Sequence, residues 1–222
     1  MRSLLAVFGL LASFTVQAGE FTPVRDAVVQ ILGDKGSCSA VVISPTRLLT
    51  AKHCLGGLLK GNDTFEVAGS GLMARVITTD AKSDLAILEL KAGRLKPLPA
   101  CTRSPEIDDQ VILVGYPLGV GKVLTEGRIQ ALEGGTFLTT TSGTHGNSGG
   151  GLFQKQDGKW CLVGIASFGI LDGKQFITYM LWSVDLENIK RFIGESTPSG
   201  KEDSSRNRLH GVRQHGDGGR AR

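Results

Sequence analysis

Gly146-Asn147-Ser148-Gly149-Gly150 is the stretch from which the rest of this 222-residue chain can be read. Glycine tolerates positive φ and has no Cβ, so a serine flanked this densely by glycine sits on a tight turn whose backbone approaches another group closely. Such a turn can present the hydroxyl as a nucleophile. The backbone N–H groups of Gly146 and Ser148 would then converge on the oxygen that turns negative during acyl transfer. The plainer reading is a glycine-rich turn with a capping serine, and the pentapeptide alone does not separate the two. Two stretches upstream do.

The first, Thr50-Ala51-Lys52-His53-Cys54, follows the apolar β-branched run Val41-Val42-Ile43. In the second, Ser83-Asp84-Leu85-Ala86-Ile87-Leu88, an acid opens an apolar strand. A serine hydroxyl is a poor nucleophile near neutral pH and needs a base within hydrogen-bond reach. The chain order His53, Asp84, Ser148 is that of the chymotrypsin template, whereas α/β-hydrolases and subtilisins order the three residues differently. On these three motifs the chain resembles the trypsin-like serine proteases. Val111-Ile112-Leu113-Val114-Gly115-Tyr116-Pro117-Leu118-Gly119 further resembles the V-x-x-I-G-x-P-x-G segment of the DegP (HtrA) branch.

The resemblance implies a set of roles. His53 takes the proton of Ser148 and hands it to the leaving amine, Asp84 orients the ring, and the Gly146 and Ser148 amides form the oxyanion hole. Asp80 is a rival acid four residues before Asp84, but it lacks the D-L-A-I-L context. The implied activity is a serine endopeptidase acting on polypeptides with no cofactor. The alternative is a catalytically inactive binding protein on the same fold. Ser142 matches the floor of the primary specificity pocket, where trypsin-type enzymes place an aspartate. A neutral floor cannot offset a buried Lys or Arg charge. Ala166 stands where glutamate-specific relatives carry a histidine. Ser167-Phe168-Gly169 matches the strand that pairs with the substrate backbone. Small or medium uncharged side chains before the scissile bond are therefore expected. His145, at the rim, reads as a solvent-exposed histidine. Asn147 cannot form the ion pair by which an aspartate before the serine anchors a new N-terminus in zymogens, and the chain near Val24 lacks I-V-G-G. An oxyanion turn set without propeptide cleavage is expected.

Residues 1–18 read as an export signal. Arg2 is a short positive start, Leu4 to Leu11 form an apolar core, and Val16-Gln17-Ala18 has the small-residue pattern of a cleavage site. Cleavage there leaves a chain starting at Gly19. No stretch is long and apolar enough to span a membrane. In an exported chain four cysteines read first as disulfides, with three possible pairings. The resemblance implies Cys38 with Cys54, bracketing the histidine loop, which leaves Cys101 with Cys161. No CxxC or HxxxH spacing supports a metal site.

A composition of 41% hydrophobic and 21% charged residues is that of a globular protein. The formal charge is +4, but Arg2 and the basic tail carry it, so the core is near neutral and no nucleic-acid surface is expected. Six short strands are expected before residue 95: Ala27–Leu32, Ser39–Ile43, Arg47–Ala51, Phe65–Ala68, Leu72–Thr78 and Leu85–Leu90. Six more follow residue 109: Gln110–Gly115, Val123–Leu132, Thr136–Thr140, Gly150–Phe153, Trp160–Phe168 and Phe176–Trp182. Turn residues such as Gly33-Asp34-Lys35-Gly36 and Gln156-Asp157-Gly158-Lys159 separate them.

The expected architecture is all-β: two six-stranded antiparallel barrels, with the active site in the cleft between them. Residues 19–95 form the first barrel, 96–109 a linker, and 110–194 the second barrel. A closing helix over Val184–Ile193 presents Leu186, Ile189, Phe192 and Ile193 on one face. Residues 195–222 lose all pattern and read as a disordered basic tail, leaving no sequence for a PDZ domain.

Overall fold

Twelve strands are laid down in the expected places, and closure into barrels follows from how their side chains alternate. The computed structural model describes residues 19–33, 36–56, 64–170 and 179–195. The expected export signal, Asp34 and Lys35 of an expected turn, and the tail from residue 196 lie outside them. The first six strands are β1 (Val28–Gly33), β2 (Gly36–Ser44), β3 (Arg47–Ala51), β4 (Thr64–Val67), β5 (Leu72–Asp80) and β6 (Leu85–Leu90). They close in the order β1-β2-β3-β6-β5-β4. The second six are β7 (Gln110–Gly115), β8 (Val123–Glu133), β9 (Thr136–Gly143), β10 (Gly151–Gln156), β11 (Lys159–Ile170) and β12 (Tyr179–Val184). They close as β10-β11-β12-β9-β8-β7, and every ladder in both barrels is antiparallel. Phe176 to Thr178, expected to begin β12, fall outside the described residues.

Side chains alternate across a strand with period two. On β2, Ala40 and Val42 enter the core of the first barrel, while Val41 between them joins a second cluster. On β3 and β6, Leu48, Ala86 and Leu88 point inward, and Leu49, Leu85 and Ile87 point the other way. The second barrel mirrors this. Val111, Leu113, Leu152 and Val163 fill its interior, whereas Ile112, Val114, Phe153 and Ile165 join Val41, Leu49, Leu85 and Ile87. That shared cluster glues the barrels together. Strands in contact with both cores must be apolar on both faces, which is why β6 reads Leu-Ala-Ile-Leu-Glu-Leu without alternation. The outer strands β5 and β8 each carry exposed residues along one face.

Two further pieces lock the arrangement. A short helix α1 (Thr22–Asp26) precedes the first barrel in sequence yet puts Val24 into the shared cluster. Just before it, Phe21 packs on Trp160 of β11 at 5.6 Å between ring centroids, and the Trp160 indole N–H donates to the Glu20 carbonyl at 2.9 Å. The inter-barrel linker is stapled to β11 by a Cys101–Cys161 disulfide and by paired backbone bonds between Pro99, Cys101 and Leu162. The other disulfide joins Cys38 to Cys54.

The closing helix, α3 (Leu186–Glu195), starts two residues later than the periodicity suggests. Val184 is still paired in β12, and Asp185 caps the helix by accepting from the Asn188 N–H at 2.9 Å. Leu186, Ile189 and Phe192 are buried, so this apolar face is core packing.

Candidate active site

The acid and the base arrive through one ladder. Strands β3 and β6 pair with Ala51 opposite Leu85. One step further on, the Lys52 N–H donates to the Asp84 carbonyl at 2.8 Å. The next residue, His53, opens a single-turn helix α2 (His53–Gly56). Asp84 adopts a positive φ of 52°, which non-glycine residues rarely do, and its carboxylate then grips His53 twice. Oδ1 accepts from the His53 backbone N–H at 2.9 Å, and Oδ2 lies 2.7 Å from ring Nδ1. Oδ2 also accepts from the Ser167 hydroxyl at 2.5 Å. Burial works to raise the Asp84 pKa, but the hydrogen bonds from His53 and Ser167 outweigh it and hold the carboxyl below its usual value. The Cys38–Cys54 bridge anchors the residue after His53 to β2. Asp80 turns away, its carboxylate accepting from the Lys82 N–H at 2.8 Å.

The serine turn lies between β9 and β10. Gly146 and Gly149 have φ of 93° and 77°, and a Cβ on either would overlap its surroundings. At Gly146 the obstacle is the Tyr116 carbonyl; at Gly149 it is the Ser39 carbonyl and the Thr50 hydroxyl of the first barrel. Glycine is therefore required twice, once for dihedral reach and once for close packing. Within the turn the Asn147 N–H donates to the Thr144 carbonyl, and the Gly150 N–H to the Asn147 carbonyl. The His145 carbonyl accepts from the Leu118 N–H at 2.7 Å, which turns the Gly146 N–H of that same peptide the opposite way. Among the described residues, neither the Gly146 nor the Ser148 N–H has an acceptor.

The two halves meet. Ser148 Oγ donates to the Ser167 carbonyl at 3.5 Å, and the Ser167 hydroxyl holds Asp84, which holds His53. Sγ of Cys54, the neighbour of His53, lies 3.6 Å from the Ser148 carbonyl. No direct hydrogen bond links His53 to Ser148.

Ser167 thus has a contact that the strand reading missed. Phe168 and Gly169 continue β11 beyond a register shift, opposite Trp182 and Leu181 of β12. Ser142 is exposed on β9, its carbonyl accepting from the Thr125 hydroxyl at 2.9 Å, and residues 171–178, after β11, are outside the described set. His145 is exposed. Ser39 and Thr50, both fully buried beside the turn, were not singled out in the sequence. Their signal is weak, since each is one polar residue at the edge of an apolar run. Among the described residues no three His, Cys, Asp or Glu side chains converge as a metal site, and no helix is long and apolar enough to cross a membrane.

Known proteins share this architecture. The chain is similar in structure to an inactive-form mutant of Rv3671c from M. tuberculosis H37Rv, with a TM-score of 0.67, 22% identity, and coverage of 83% of this chain and 95% of that one. A serine endoprotease from Yersinia pestis also superposes with a TM-score of 0.67, at 24% identity over 82% of this chain and 66% of that one. At those identities the match speaks for the fold. In sequence, the chain is 33% identical over 119 residues to the serine endoprotease DegS of Salmonella typhimurium, covering 47% of this chain and 32% of that protein. It is 26% identical over 170 residues to the serine protease HTRA1 of Xenopus laevis, covering 70% and 34% respectively. The chain thus spans about a third of the length of these relatives. The model of the trypsin-like peptidase domain matches residues 38–165, which run from the cysteine before Ser39 to the strand beside Ser148 and take in His53 and Asp84. With barrels, interface and motifs all in agreement, this chain belongs to the trypsin-like peptidase family.

Proposed function

We propose that the chain is an exported serine endopeptidase that cleaves polypeptides through an acyl-enzyme. Ser148 Oγ attacks the scissile carbonyl carbon while His53 Nε2 takes its proton. Asp84 keeps the Nδ1–H tautomer and stabilises the imidazolium. The N–H groups of Gly146 and Ser148 receive the developing oxyanion. The C–N bond then breaks, His53 protonates the departing amine, and water hydrolyses the Ser148 ester by the same path in reverse. The observation that carries this reading is the hydrogen-bonded path from His53 through Asp84 and Ser167 to Ser148, two residues from each barrel. The Ser148 hydroxyl must turn from the Ser167 carbonyl toward His53 when substrate arrives. Catalytic hydrogen bonds are often long or misaligned until then.

Export rests on the signal pattern of residues 1–18 and on two disulfides, which persist in oxidising compartments. The neutral Ser142 and Ala166 favour uncharged side chains before the scissile bond, with the substrate backbone along Ser167-Phe168-Gly169. Asn147 cannot form the activating ion pair of zymogens, which favours an oxyanion turn set without a second processing cut.

A fluorophosphonate probe tests the core of the reading. Ser148 should label covalently, and Ser148→Ala should abolish both labelling and casein hydrolysis. Absence of labelling in folded, disulfide-bonded protein would instead favour a binding module.

A further inference from the structure

Ser39 is fully buried in β2, beside a stretch that is otherwise apolar. A buried hydroxyl costs stability unless its hydrogen bonds are met. Here they are met almost entirely by the other barrel. Ser39 Oγ donates to the Gly146 carbonyl at 2.7 Å and accepts from the Tyr116 N–H at 2.9 Å. The Ser39 N–H donates to the Ser148 carbonyl at 2.8 Å, and its own carbonyl accepts from the Thr50 hydroxyl at 2.7 Å. Every polar group of the residue is used, and three of the four bonds end on the serine turn or on the segment that braces it.

We propose that the Ser39 hydroxyl is a positioning group that holds the oxyanion turn in its working shape from across the barrel interface; this deepens the serine-peptidase reading and rests on it. The Gly146 carbonyl belongs to the peptide lying between the two peptides whose N–H groups face the developing charge. Fixing that peptide limits rotation on both sides. Tyr116, held by the same hydroxyl, leads directly to Leu118, whose N–H holds the His145 carbonyl. One oxygen therefore ties the brace to the turn. Gly115 makes room for it, since a Cβ there would come within 2.5 Å of Asn147 Oδ1 and 3.1 Å of Ser39 Oγ. Asn147 cannot take part in an anchoring ion pair, and Ser39 supplies the fixed point by neutral hydrogen bonds.

The test compares wild type with Ser39→Ala and with the isosteric pair Ser39→Thr and Ser39→Val, which share any strain from the added methyl and differ in the hydroxyl. Fluorophosphonate labelling rate, kcat and KM on a small ester, and thermal melting are measured on disulfide-intact protein. Loss of a correctly aimed oxyanion donor costs about 10²–10³-fold in kcat. Ser39→Ala and Ser39→Val should therefore fall about 10²-fold in kcat and labelling rate, with KM little changed, while Ser39→Thr retains most activity. Equal rates for wild type and the variants without the hydroxyl, or a change confined to KM, overturn the proposal and leave the peptidase reading intact. Failure of both Ser39→Ala and Ser39→Val to fold also overturns it, by making the residue a support of the fold. An unlabelled wild type brings down both readings.

Discussion

The two halves of the site are built by different means. The His53–Asp84 half is local to one sheet: β3 and β6 are hydrogen-bonded neighbours, and the ladder delivers the two side chains to each other at 2.7 Å. The Ser148 half is a turn between β9 and β10 that rests on two surfaces. Its own barrel holds it through the Gly149 N–H to the Ala166 carbonyl and the Leu118 N–H to the His145 carbonyl, both at 2.7 Å. The first barrel adds Ser39, which bonds two of its carbonyls, and Thr50 and the Ser39 carbonyl, which crowd Gly149. The first half rests mainly on one ladder, with Ser167 of the second barrel added, and the second is shared between the two barrels. A side-chain pair can be set by one ladder, whereas a hole for developing charge depends on the orientation of whole peptides, which takes contacts from more than one side.

The largest effect should come from breaking the half built on one ladder. Asp84→Asn keeps the shape of the side chain but presents an amide to His53, favouring the wrong tautomer. In the chymotrypsin template this change lowers kcat about 10⁴-fold. The same order of loss is expected here in steady-state casein and ester assays, with little change in KM. A loss below about tenfold would mean that Asp84 does not orient the base.

Gly149→Ala probes the first barrel's share in holding the serine turn. The added Cβ meets barrel-one atoms, and φ of 77° is unfavourable for alanine. Strain of this kind costs about 1–3 kcal/mol, and the steric overlap adds to it. The variant should melt lower and label slowly even where it remains folded. Normal labelling would show that the turn holds its shape without the neighbouring barrel.

The smallest effect is a pH dependence of stability. The Asp84 carboxyl titrates below its ordinary value near 3.8, so folding favours the ionised form. Its contribution is complete above the unfolded value and disappears as pH falls through the lower folded value. Thermal melts of wild type and Asp84→Asn should therefore differ most near neutral pH, the gap narrowing on acidification below about pH 4. A gap that widened instead would reverse the sign assigned to this carboxylate.

Much of the molecule was legible before any coordinate. The strands of both barrels fall where apolar runs end at turn residues. Leu85 to Leu88 read as an apolar strand, and the structure buries it on both faces, because period two leaves such a run no solvent side. His53, Asp84 and Ser148 were identified by motif and order. The helix α1 was not expected, since its five residues are too few for a periodic signal. Its place comes from burying Val24 between barrels. Ser167 was assigned to a substrate strand, and its hydroxyl contact with Asp84, 83 residues away, had no trace in local pattern. Ser39 escaped notice for the same reason, since its partner Gly146 lies 107 residues along the chain.

Sequence alone determined the all-β architecture and the boundaries of most strands and singled out the candidate nucleophile, because periodicity, turn chemistry and motif order are written in consecutive residues. The tertiary structure decided which surface holds the serine turn, which hydroxyl shares the buried carboxylate, and how the leading segment clasps the second barrel. Those outcomes depend on side chains that meet only after two closed sheets press together, and distance along a chain carries no record of such meetings.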